Sequence, residues 1–256
     1  MFQHEGPART PRTNALLAGY LALIAGFVNS GGFVLIGTFT SHVTGSVGRF
    51  SFDLATADRA AALFALLLIF TFFAGAFSAS LVIEGRRSQN IGRGYATALF
   101  AQALLLLWFV GVAGVSRTTH PRILDTEAAI LSFAMGMQNS LVTKLSGATV
   151  RTTHLTGVLT DLGIETARWY RWYRYQFPGN TLGDGRTTPE RPNPDRAALL
   201  ITIIAAFATG ASLGATLTLR WGHWAMVAPA VAVGIGSLLA YLQRPDREES
   251  PAAKGS

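Results

Sequence analysis

Hydrophobic residues along this chain come in long blocks that no Asp, Glu, Lys or Arg interrupts. Six such blocks run Thr13–Gly48, Ala60–Ile83, Gly94–Ser116, Ala128–Thr143, Ala197–Leu219 and Trp221–Gln243. Four of them have 23 or 24 residues, enough for one helix across a hydrocarbon core roughly 30 Å thick. The fourth block has 16 and needs Ile123, Leu124 or its flanks to cross. The first has 36, too many for one helix and too few for a comfortable two. The pattern predicts six membrane-spanning helices and no strands. Two amphipathic stretches, "HVTGSVGRFSFDLA" and "HLTGVLTDLGIETARWYRWYRY", follow Thr40 and Thr152 and predict additional helices.

Composition agrees. Only 14% of the residues are charged, where a soluble domain carries about 25%, and mean hydropathy is +0.34. Arg9 and Arg12 precede the first block as they would in a signal peptide. The apolar stretch Ala15–Ile36 exceeds the usual h-region and no small-x-small site closes it, so we expect an uncleaved anchor. With the N-terminus in the cytoplasm, 16 of the 21 Lys and Arg fall on inner segments, and the positive-inside rule favours both termini there. The net charge of +7 is mostly this bias, suited to anionic lipid and no sign of nucleic-acid binding. The absence of Cys removes disulfides and thiolate ligands.

The chain repeats itself. "GFVNS" at Gly26–Ser30 matches "GMQNS" at Gly136–Ser140, and "TSHVTG" at Thr40–Gly45 matches "TTHLTG" at Thr152–Gly157 at nearly the same offset. "FFAGAFSA" at Phe72–Ala79 aligns with "FATGASLG" at Phe207–Gly214, now at a longer offset. The Pro/Gly-rich cytoplasmic loop 178–196 absorbs the difference. Two halves of three spans follow, 14–122 and 123–243, between a cytoplasmic tail 1–13 and a tail 244–256 expected to be disordered. Three is odd, so the second half should lie inverted in the membrane, an architecture many secondary transporters use.

The stretches "IAGFVNSGGFVLIGTFTSHVTGS" and "FAMGMQNSLVTKLSGATVRTTHLTGVLTDLG" resemble the two hallmark segments of the YoaK family. The resemblance runs from about residue 14 to 242. It implies a bacterial inner-membrane protein of about six spans, and it implies no activity. The family commonly has Thr-Gly-Asn in the first half, where this chain has Ser46.

Asn29 and Asn139 lie inside apolar blocks, where an unpaired amide is costly and each must face protein or water. One reading is interhelical glue; the other is a symmetric pair lining a midplane solute site. Gly31 and Gly32 should loosen the first span. Thr40 and Thr152 read as N-caps, with His42 or His154 in the first turn beside Thr44 or Thr156. The imidazoles either satisfy that turn or contact solute and relay protons. Asp161 and Glu165 share a helix face with Arg168, and at the offset of the histidine motifs they align with Arg49 and Asp53. They form a solvated ion-paired face or a gate that changes charge. "RWYRWYRYQF" at Arg168–Phe177 suits an interfacial anchor, and the Gly75, Gly210 and Gly214 region suits close helix packing or a homodimer face.

Two His so far apart along the chain make no metal-ligand pattern, and no phosphate loop or H-E-x-x-H occurs. We expect no enzyme, metal or cofactor. Two functions stand: a small-solute transporter or channel-like protein, or a non-transporting scaffold. Convergence of Asn29, Asn139, His42 and His154 on one cavity would favour the first, and their separation the second.

Overall fold

A computed structural model describes residues 10–86, 91–116, 122–146, 154–176 and 190–242. Both expected tails for the most part, most of the loop 178–196, and Thr152 lie outside the described residues. Among the described residues the chain is helical, without strands. They hold eight α-helices, in order α1 (Pro11–Ile36), α2 (Val43–Ala55), α3 (Arg59–Gly85), α4 (Ile91–Ser116), α5 (Arg122–Leu145), α6 (Leu155–Tyr175), α7 (Pro194–Trp221) and α8 (Val227–Leu242).

Four helical segments are long and apolar enough to cross a membrane: Arg12–Ile36, Arg59–Gly85, Gly92–Gly114 and Pro194–Leu242. The chain is therefore an integral membrane protein. The last segment has 49 residues, about 74 Å if it were one straight helix. It turns instead at Gly222, which takes φ 60° and ψ −143° and opens a 3₁₀ turn over Gly222–Met226. Beyond that turn α8 packs on α4, while α7 packs on α1. The six expected blocks overlap α1, α3, α4, α5, α7 and α8, where six spans are expected and four segments among the described residues meet the length and apolarity of one. Helix α5 falls short of the apolarity of the others for a physical reason. It packs against α1, α3 and α4, so Gln138 and Ser132 meet protein rather than lipid.

Glycines set the closest approaches. A methyl group added at Gly26 would lie 2.1 Å from the Phe207 carbonyl oxygen on α7, and one at Gly136 would lie 2.0 Å from that of Phe72 on α3. Gly210 and Gly214 bring α7 equally close to Leu23 and Phe27 of α1, and Gly75 brings α3 onto Phe133 of α5. Only a residue without a side chain lets backbones touch in this way. These positions correspond between the halves: Gly26 to Gly136 in one alignment, Phe72 to Phe207 and Gly75 to Gly210 in the other. The glycine stripe is filled within the chain, so a homodimer would have to use another face.

Contacts also give helix directions. Gly19 meets Thr202 and Gly31 meets Thr218, so α1 and α7 run parallel. Ser132 donates to the Leu68 carbonyl and Ser80 bonds to Ser140, so α3 and α5 run parallel. Leu21 meets Gln138 while Gly32 meets Leu131, so α1 and α5 run in opposite directions. Ala96 meets Ser237 on α8 and Gly114 meets His223 on the 3₁₀ turn that leads into it, so α4 and α8 are likewise opposed.

Candidate functional site

The amphipathic helices α2 and α6 begin at histidine. Their N-caps are His42 and His154, two residues beyond the threonines expected in that place. At α6 the imidazole itself is the cap, whereas the His42 side chain makes no capping hydrogen bond. His154 Nδ1 accepts the Gly157 N–H at 3.2 Å, as a hydroxyl cap would. The ring then covers the glycine, and a methyl group at Gly157 or Gly45 would lie 2.5 Å from the Nδ1 of its histidine. The "H-x-x-G" common to both halves is therefore a single packing unit. Thr44 and Thr156 are exposed on the first turns, whereas Thr40 is buried and its hydroxyl has no partner among the described residues.

Helix α2 packs on α3, and the two leave a cavity of about 370 Å³. His42, Ser46, Arg49 and Asp53 give it a polar side, and Phe64 and Leu68 of α3 are on the apolar side. Arg49 Nε donates to both Asp53 carboxylate oxygens, at 2.8 and 2.7 Å. The Asp53 side chain is only 3% exposed while that of Arg49 is 67% exposed, so the carboxylate is buried beneath its own counter-ion. The terminal amino groups of Arg49 have no partner among the described residues. They are donors available to a solute.

The second half arranges the same positions differently. Glu165, equivalent to Asp53, is also buried, and it accepts from Arg168 Nη1 at 2.8 Å. Arg196, on the first turn of α7, places Nε 3.3 Å from Glu165 and Nη2 3.5 Å from Asp161. Helix caps fix the equivalence of Arg196. Asp58 caps α3 by accepting the Ala61 N–H, and Asn193 caps α7 by accepting those of Asp195 and Arg196. Those two caps stand at the same offset as Gly75 and Gly210. Arg196 is thus where the first half has Ala61, a residue that lines the cavity. The other oxygen of Glu165 is buried without a partner among the described residues.

Asn29 and Asn139 do not join this cavity. Asn29 Oδ1 accepts from Ser41 at 2.8 Å and ties α1 to the approach of α2. Asn139 donates to the Met135 carbonyl of its own helix at 3.0 Å. In the α1–α5 register the two amides are roughly 10 Å apart along the helix axes. Of the four residues expected to converge, His42 alone lines the cavity.

Among the buried polar residues outside the expected site, two features bear on the site and its packing. One is Asp53, whose signals in the sequence are its alignment with Glu165 and its i,i+4 spacing from Arg49. The other is a glutamine pair: Gln138 donates to the Leu21 carbonyl at 2.7 Å and accepts from Gln102 at 2.8 Å, joining α1, α4 and α5. A Gln inside each of two charge-free blocks is the trace it leaves in the sequence. Gln138→Leu should cost about 1–2 kcal/mol, because it leaves the Gln102 amide buried without its acceptor. Adding Gln102→Leu should recover part of that loss in an unfolding titration. Full additivity of the two changes would mean that the pair is not coupled.

A family model described as a protein of unknown function (DUF1275) matches residues 17–239, from α1 through α8 and across both halves. No curated protein and no solved structure matches the chain. The chain belongs to the DUF1275 family.

Proposed function

We propose that this protein carries a small polar solute across the membrane, using two inverted halves that open to opposite faces in turn. The support for inversion is internal. Helices α1 and α5, which share the G-x-x-N-S pattern, run in opposite directions and exchange equivalent partners, α7 for one and α3 for the other. The observation that carries the transport reading is the difference between equivalent corners. At the α2–α3 corner Ala61 leaves a cavity beside Arg49 and Asp53. At the α6–α7 corner the Arg196 guanidinium lies on Glu165 and Asp161, the positions equivalent to Asp53 and Arg49, and ties α6 to α7. A single conformation that is open at one half and latched at the other is what alternating access needs. Charge counting gives the outer face to the α2 corner and the cytoplasmic face to the α6 corner, with both termini inside. The resemblance to the YoaK family adds a bacterial inner membrane to this proposal and nothing about the solute.

Reconstituted vesicles offer the test. In an uptake screen of small polar solutes, one flux should depend on Arg49, and Arg49→Gln should lower it roughly tenfold, the effect of losing one charge-assisted hydrogen bond. Arg49→Lys should keep more of it. The separation of Asn29 from Asn139 favours a second reading, a non-transporting scaffold in which polar residues fasten helices. That reading expects no flux above protein-free vesicles for any solute.

A further inference from the structure

The corner between the end of α6 and the start of α7 holds a second cavity, of about 250 Å³, with a different chemistry. Arg168 and Arg171 approach it from α6, and Glu190, Arg191, Pro192 and Asn193 from the segment leading into α7. Three guanidinium groups thus meet one carboxylate. Arg168 already shares Glu165, but Arg171 and Arg191 have no ion pair among the described residues. The corner is held in shape on the α7 side. Pro192 is buried, and the Asn193 side chain is engaged by the N–H groups of Asp195 and Arg196. Those N–H groups are therefore satisfied, and the positive field in the cavity comes from side chains.

We propose that this cavity binds a phosphate group. Guanidinium forks match phosphate oxygens in pairs, and two forks on different elements fix such a group better than a point charge does. The source of the phosphate follows from the neighbouring surface. Trp169, Tyr170 and Tyr173 are exposed along the same helix, with Trp169 edge-on to Trp172 and Arg174 lying over Tyr170. Aromatic side chains of this kind collect at headgroup depth, where phosphodiesters are abundant. An anionic phospholipid headgroup in that leaflet would pin the α6–α7 corner, and a free phosphate compound would occupy it from the cytoplasm.

The test uses the full chain in lipid nanodiscs, with phosphatidylglycerol titrated into phosphatidylcholine and retained lipid read by native mass spectrometry. Arg171→Gln and Arg191→Gln should each reduce retained phosphatidylglycerol roughly tenfold, as loss of one charge-assisted contact implies. Arg174→Gln removes the same charge one turn further along α6, outside the cavity, and should change little. Competition with inorganic phosphate separates the sources. No displacement at millimolar phosphate identifies a lipid headgroup, and displacement identifies a site for soluble phosphates. If Arg174→Gln weakens retention as much as Arg171→Gln, general surface charge explains the binding and the site does not exist. Retention unaffected by Arg171→Gln and Arg191→Gln overturns it equally. A thermal unfolding scan of each variant confirms that the proteins compared are folded.

Discussion

Gly136→Ala should destabilise the folded chain by about 3 kcal/mol, the upper end of what overpacking costs. The added methyl would stand 2.0 Å from the Phe72 carbonyl oxygen and 3.1 Å from the Ala76 nitrogen, both backbone atoms that cannot swing aside. Helices α3 and α5 would have to separate along their whole shared face, losing the dispersion contacts that hold helices together in lipid. Gly26→Ala should cost a similar amount, because its methyl would meet the Phe207 carbonyl oxygen of α7 at 2.1 Å. The two glycines lie in different helix pairs, yet α1 also packs on α5, so the double variant reports how far the two pairs are coupled. Gly111 provides the comparison. Nothing lies within 4 Å of the position its methyl would take, and alanine there should be neutral or slightly stabilising. Reversible unfolding in mixed micelles measures all three. Equal effects at Gly136 and Gly111 would mean that these helices do not touch as described.

The same glycines show where the sequence is a good guide. Charge-free length marks the long helices, four segments of which are apolar enough to cross a membrane. Positions of one alignment, carried by "GFVNS", touch positions of the other, carried by "FFAGAFSA": Gly26 meets Phe207 and Gly136 meets Phe72. Which helix each glycine faces is not legible, because periodicity reports a face and not its partner. The cap is hidden for a related reason. Threonine is the commoner cap, and only the three-dimensional turn reveals that His154 Nδ1 reaches the Gly157 N–H. Asn29 and Asn139 stand out as a symmetric pair, yet symmetry of sequence does not bring two antiparallel positions to the same depth. Arg196 is hidden most completely. Its meaning depends on Ala61 in the other half, and on Asn193 and Asp58 starting their helices at equivalent places.

Removing that arginine should expose the closed corner. The chain has no Cys, so single cysteines can report access without background. A cysteine at Ser46, beside the first cavity, should react with an impermeant thiol reagent added outside. Val158 is the equivalent position in the second half and is buried, so a cysteine there should react slowly from either side. Arg196→Ala removes the contacts to Glu165 and Asp161, of which the one to the buried carboxylate is worth about 1–2 kcal/mol. That shifts a two-state balance roughly tenfold, and the Val158 cysteine should label about that much faster, from the cytoplasmic face only. The converse change moves the latch to the other half. Ala61→Arg combined with Arg49→Asp recreates the second half's arrangement beside Asp53, and it should protect the Ser46 cysteine from outside. Faster labelling at Val158 with no change in sidedness would leave Arg196 as a simple tie between α6 and α7. Labelling of both cysteines from the same side would make the halves parallel, and alternating access would lose its structural basis.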